Sequence, residues 1–127
     1  MFRLKAFIVE DSAVIRENLI AALEELAPVD VVGSADDELG ATAWLVARAG
    51  SIHLLVVDLF LKSGSGLGVL QEAVARTPGL RVVVLSNFAT PEMRVRCLAM
   101  GASRVFDKSN EIDALIVYCE ELAGGLT

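Results

Sequence analysis

The chain has 127 residues, 54% of them hydrophobic and 22% charged, a length and balance that specify one globular domain with a substantial core. Its formal net charge of −6 argues against direct binding to a nucleic-acid backbone, which needs clustered lysine and arginine, while leaving a basic protein partner open. No apolar run approaches the roughly 18 residues of a membrane span, so none is expected.

Met1-Phe2-Arg3-Leu4-Lys5 resembles the start of a signal peptide, but Glu10 and Asp11 cut the apolar run short and no small-residue cleavage site follows. Ala6-Phe7-Ile8-Val9 reads instead as a first strand that delivers Glu10-Asp11 at its C-terminal end. Asp11 or Ser12 can cap the next helix, where Ile15, Leu19, Ala22, Leu23 and Leu26 form one apolar face before Pro28 stops it. Val29 to Gly33 is a short second strand, and Asp36-Asp37 opens a second helix. In that helix Leu39, Ala43, Val46 and Ala47 are expected to face the core, with Trp44 at the flank or surface and Gly50 as the stop.

Leu54-Leu55-Val56-Val57 is aliphatic without interruption, the pattern of a strand covered on both faces at the centre of a parallel sheet. Asp58 follows at once, and an ionised carboxylate does not belong in such an interior. It is therefore expected where the strand emerges, at the C-terminal edge where open α/β sheets bind ligands. We read Asp58 as a nucleophile. The next segment, Lys62-Ser63-Gly64-Ser65-Gly66, is a turn-rich loop. Gly64-x-Gly66-x-Gly68 suggests a phosphate loop, but the dinucleotide pattern requires its third glycine where Val69 stands.

Helix three is predicted from about Leu67 to Thr77, ended by Pro78-Gly79, and strand four runs from Arg81 to Leu85 and ends in Ser86-Asn87. Thr90-Pro91, a capping hydroxyl followed by proline, opens helix four, which ends near Gly101 and carries Met93, Cys97 and Met100 on one stripe. Arg104-Val105-Phe106 is strand five, closed by Asp107-Lys108, and Ile112, Leu115, Ile116 and Cys119 line helix five. Cys97 and Cys119 have neither framework nor metal spacing and read as small hydrophobes in a reducing, cytoplasmic setting. His53 reads as a loop histidine without a ligand role.

Five successive βα units predict a single α/β domain over residues 1–127. The expected architecture is a doubly wound three-layer sandwich, flavodoxin-like; the parallel strand order 2-1-3-4-5 is borrowed from known doubly wound folds of this kind and not read from the residues. That topology gathers Glu10-Asp11, Asp58, Ser86 and Lys108 at one sheet edge. Clustered carboxylates repel one another, and a hard divalent cation relieves this; oxygen donors with room for water and phosphate suit Mg²⁺. Lys108 offers a positive point charge and Ser86 a hydroxyl to phosphoryl oxygens, a set suited to phosphoryl transfer onto a carboxylate.

On these residues the chain resembles a response-regulator receiver domain of two-component signalling (CheY-like) over essentially its whole length. The carriers are Glu10-Asp11 after strand one, Asp58 after strand three and Gly66 eight positions later, Ser86 after strand four, and Asp107-Lys108 after strand five. The resemblance implies that Asp58 takes a phosphoryl group from the phosphohistidine of a histidine kinase or phosphotransfer protein. It implies Mg²⁺ held by Asp11, Asp58 and the Phe60 carbonyl, with Glu10 holding a metal-bound water. Ser86 would turn inward to the phosphate and Lys108 would pair with it.

By the same resemblance the chain catalyses only its own phosphorylation and dephosphorylation. Its output passes to a protein target, and the helix four, strand five and helix five face can support self-association. A receiver cut from a longer regulator or hybrid kinase is one alternative. A degenerate receiver that binds partners without phosphorylation is another, although no acid or lysine is missing. An aspartyl phosphatase is disfavoured because Phe60 stands where its second acid belongs, and a flavodoxin-like cofactor binder because the loops are acidic.

Three positions depart from the family pattern. Val105 occupies the usual place of an aromatic switch, and Phe106, one residue on, should point to the other face. Ser109 and Lys62 replace customary prolines. Phe60 and Phe88 occupy positions that tune phosphoryl lifetime in the family, and two bulky apolar groups there are expected to restrict water.

Overall fold

The computed structural model describes residues 2–125. Its strands are β1 (Leu4–Val9), β2 (Val29–Ala35), β3 (Leu54–Val57), β4 (Arg81–Ser86) and β5 (Arg104–Asp107). They alternate with helices α1 (Ala13–Leu26), α2 (Glu38–Arg48), α3 (Gly66–Arg76), α4 (Pro91–Ala99) and α5 (Ile112–Gly125). The sheet is parallel throughout, in the order β2-β1-β3-β4-β5, as expected. No described helix is long and apolar enough to cross a membrane.

Two apolar layers hold the sheet. On one face Phe7, Val9, Leu55, Val57, Val82 and Val84 meet α2, α3 and α4; on the other Ile8, Leu54, Val56 and Leu85 meet α1 and α5. All four residues of β3 are buried, so each contributes about 1.5–3 kcal/mol relative to exposure, and β3 becomes the rigid centre. Alternation along β5 sends Val105 to the α4 side and Phe106 to the α5 side, where its ring meets Tyr118 edge-on. Cys97 and Cys119 are buried, unpaired thiols in these layers, and burial pushes the Cys119 thiol up to about 12. His53 lies in the loop before β3, where its Nδ1 accepts from the Lys5 amide at 2.9 Å.

Helix starts follow local chemistry. Ser12, Asp37, Ser65 and Thr90 cap α1 to α4 by accepting a backbone N–H two or three residues on, and Pro91 follows Thr90. At α1, therefore, Ser12 is the cap and Asp11 is left for the site.

Four sequence expectations require correction. In α1 only Leu19 and Leu23 are buried, while Ile15 and Leu26 lie exposed. β2 continues to Ala35, two residues beyond its expected end at Gly33. In α2 the buried residues are Ala41 and Leu45, with Ala49 just beyond, and the predicted stripe of Leu39, Ala43, Val46 and Ala47 faces outward. Trp44 is not a surface residue; it packs on the core and stacks on Phe7, with ring centroids 4.1 Å apart.

The reason is steric. Periodicity tells which residues share a helix face but not which face the sheet accepts. Here Gly33 leaves room above Phe7 that a Cβ would fill, 3.0 Å from the Phe7 ring and 3.3 Å from the Trp44 indole nitrogen. The small side chains of Ala41 and Ala49 allow the same helix face to close on the sheet. Leu45→Ala is accordingly expected to cost about 2–5 kcal/mol, whereas Leu39→Ser should change stability by less than about 0.5 kcal/mol. Urea unfolding of both variants checks this, and a reversed ranking would place α2 the other way round.

Candidate active site

The parallel register brings the ends of three adjacent strands level: Val9 pairs with Val57, and Val57 with Val84. The Asp58 amide donates to the Val9 carbonyl at 3.0 Å, so Glu10 and Asp58 leave the sheet side by side. On the other flank the Lys108 amide donates to the Ser86 carbonyl at 3.1 Å, which seats Lys108 beside the end of β4. Residues separated by up to 98 positions thus share one edge.

Lys108 Nζ donates to Glu10 Oε1 and, at 2.9 Å, to Asp58 Oδ2. All three side chains are nearly buried. Burial alone would pull the lysine pKa down, but the hydrogen bonds and charges of Glu10 and Asp58 outweigh it and hold the ammonium above its usual 10.5. The lysine's contribution to this pairing is therefore complete at neutral pH and is lost as pH rises through that elevated value. Glu10 is further held by the Ser12 amide on Oε2 at 3.1 Å, and Arg16 donates to its backbone carbonyl at 2.8 Å.

Glu10, Asp11 and Asp58 each present a carboxylate oxygen within 4.8 Å of the others. Three carboxylates against one ammonium leave the cluster net negative, and the side-chain donors are all hard oxygens. The residues fit a small divalent cation. The Phe60 amide approaches Asp58 Oδ1 at 3.4 Å, a weak contact, while the Phe60 ring is exposed and meets Phe88 edge-on with centroids 4.7 Å apart. Ser86 is fully buried, and its Oγ accepts from the Phe88 amide at 3.0 Å. All six predicted site residues therefore lie along the C-terminal ends of β1, β3, β4 and β5.

The glycine eight residues after Asp58 has a steric cause. A Cβ on Gly66 would stand 1.9 Å from the Asp58 carbonyl oxygen and 2.6 Å from the Leu59 Cα, both backbone atoms. The Gly66 amide donates to the Leu59 carbonyl at 3.0 Å, closing the turn that carries Phe60.

Sequence reasoning passed over a second set of groups. The Arg94 guanidinium donates to the carbonyls of Ala89 and Val105 at 3.0 and 2.9 Å and to Glu111 Oε1 at 2.5 Å. The same Glu111 oxygen accepts from the Asp107 amide, and these bonds hold its carboxyl below the ordinary 4.5. This network ties the loop after β4 to β5 on the side where Val105 replaces the expected aromatic. Its partners are remote in sequence, and no short motif announces them. The Met93 and Met100 side chains do not form a free stripe; they pack against the core beside buried Cys97.

Comparison with known proteins follows the same lines. Residues 6–120 match the response regulator receiver domain model. The transcriptional activator DevR/DosR of Mycobacterium tuberculosis is 32% identical over 101 residues, covering 78% of this chain and 45% of that protein. The response regulator domain of Thermotoga maritima CheB superposes with a TM-score of 0.82 at 18% identity, covering 96% of this chain and 97% of that one. A Burkholderia pseudomallei response regulator, solved with a phosphorylated aspartic acid, calcium ion and citrate, superposes with a TM-score of 0.76 at 22% identity, covering 97% of this chain and 70% of that one. The chain spans less than half the length of the curated relatives it matches. With its sheet order, its acidic edge and a family match across most of its length, the chain belongs to the response regulator receiver domain family.

Proposed function

We propose that this chain is a phosphoacceptor switch in which Asp58 takes a phosphoryl group from the phosphohistidine of a histidine kinase or phosphotransfer protein. The observation that carries the reading is a nearly buried Asp58 carboxylate grouped with Glu10 and Asp11 and bonded to Lys108 at 2.9 Å. An Asp58 oxygen attacks phosphorus, forming a P–O bond as the P–N bond breaks, and the electron pair stays on the imidazole nitrogen. Lys108 pairs with a phosphoryl oxygen in place of a carboxylate, and Ser86 gives up the Phe88 amide to reach another.

Asp11 and Asp58 would hold Mg²⁺ through carboxylate oxygens and Phe60 through its carbonyl, with Glu10 in the surrounding shell. When bound, the ion supplies charge neutralisation for the phosphoryl oxygens. The phosphoaspartate of the similarly folded Burkholderia protein supports this chemistry. The chain catalyses only its own phosphorylation and dephosphorylation. Movement of Ser86 shifts the loop that Arg94 fastens to β5, so the signal is read by a protein target on the α4, β5 and α5 face, where two copies can also meet.

Intact mass after incubation with Mg²⁺ and acetyl phosphate tests the reading. One phosphate adduct is expected, absent in Asp58→Asn and without Mg²⁺. A persistent adduct in Asp58→Asn would move the chemistry elsewhere, and a chain that takes phosphate from no donor would be a degenerate receiver. The exposed Phe60–Phe88 ring pair supplies a second expectation, that the rings hinder water at the phosphoaspartate. Phe88→Ala should hydrolyse several-fold faster, measured as decay of the adduct. An unchanged decay removes the rings from that role.

A further inference from the structure

We infer that Glu38, at the start of α2, is a positioning residue for the phosphoacceptor turn, holding residues 58–66 in register from outside. The inference rests on the phosphoacceptor reading of Asp58. Glu38 belongs to a different βα unit, yet its carboxylate crosses to the β3–α3 loop. Its Oε1 accepts from the Ser65 amide at 2.7 Å, and its own amide donates to the Ser63 carbonyl at 3.2 Å. A carboxylate there also faces the N-terminus of α3, where negative charge is favoured.

Two glycines make room for it: Gly68, and Gly64, which also takes a left-handed φ of 81°. A Cβ on Gly64 would stand 2.4 Å from Glu38 Cβ, and one on Gly68 2.3 Å from Glu38 Oε2. With Gly66 lying against the Asp58 carbonyl, the Gly64-x-Gly66-x-Gly68 pattern is a socket with one glycine turned to the acceptor and two to Glu38.

The clasp matters because of what the loop carries. Ser65 pairs with Phe60 in an isolated antiparallel bridge, and its hydroxyl caps α3 through the Leu67 amide at 3.1 Å. Lys62, Ser63 and Gly64 are exposed, so Glu38 is the side chain that anchors the outer limb of this turn. Releasing it frees the Phe60 backbone and the carbonyl proposed as a cation ligand. Small misplacements of reacting groups carry large rate penalties.

The test uses the whole chain with Glu38→Ala, Glu38→Gln and Gly68→Ala. In metal-free protein, amide exchange at Ser65 and Phe60 should speed at least about tenfold in Glu38→Ala, with Leu70 in α3 unchanged. Phosphorylation by acetyl phosphate should slow about tenfold. Glu38→Gln, which keeps an oxygen acceptor, should restore both. Gly68→Ala, whose methyl displaces the carboxylate, should reproduce Glu38→Ala, and the double variant should be no worse than either. Wild-type exchange and phosphorylation in Glu38→Ala would overturn the inference, as would exchange accelerated evenly over all amides. A wild-type chain that takes no phosphate overturns the phosphoacceptor reading instead, while amide exchange still decides the clasp.

Discussion

Gly66→Ala is expected to destabilise the chain by about 3 kcal/mol or more and to abolish stable phosphorylation of Asp58. The new methyl would sit 1.9 Å from the Asp58 carbonyl oxygen and 2.7 Å from its carbonyl carbon. The three nearest atoms are all backbone, so no rotamer change relieves the clash. Either α3 moves away from β3 or the Asp58–Leu59 peptide turns, and both displace Asp58. Its φ is not positive, so the requirement is close approach rather than a left-handed conformation. Gly50→Ala is the control: nothing lies within 4 Å of its added Cβ, and stability should change little. Urea unfolding with intact mass after acetyl phosphate measures both effects. A Gly66→Ala variant as stable and as readily phosphorylated as the parent would mean that the turn yields freely.

Lys108→Ala is expected to cost about 3–5 kcal/mol at neutral pH and to slow phosphorylation of Asp58 by about a hundredfold. The lysine is the charge that balances Glu10 and Asp58, whose side chains are only 2% and 10% exposed. Without it two nearly buried carboxylates face each other with Asp11 alongside, and their repulsion acts in a poorly screening interior. Because the Lys108 pKa is raised, the lysine stays charged in the wild-type pairing at neutral pH, and its contribution weakens as pH rises through that elevated value. The variant should regain stability with Mg²⁺ or on acidification, since either relieves the carboxylates. Lys108→Ala combined with Asp58→Asn should lose less than the two changes separately. Urea unfolding with and without Mg²⁺ reads the result. A stability indifferent to both the mutation and the ion would make Lys108 a solvated surface charge.

Much of this molecule is legible in the residues. Unbroken aliphatic runs ending in acid, serine or lysine define strands and the edge at which they emerge, because an interior covered on both faces excludes charge. Capping residues define helix starts within a residue or so, because the bonds involved are local. The carboxylate–lysine constellation follows from those two facts once the strand order is taken from known doubly wound folds, because right-handed crossovers limit the topologies without choosing one.

Other features depend on contacts between distant segments. The outward stripe of α2 was legible as a stripe but not as an outward one; Phe7, Gly33 and Trp44 decide which side the sheet accepts. Gly64 and Gly68 read as loop punctuation until Glu38 fills the space they leave. Arg94 and Glu111 are ordinary surface charges in sequence, and they become a junction only when α4 lies against β5. What the sequence by itself determined is the order of elements and the chemistry at their ends, since both arise from local propensity and the exclusion of charge from the core. Which helix face turns inward, and which side chain reaches across to the loop after Asp58, only the tertiary structure decided, because those choices rest on shape complementarity between segments far apart in the chain.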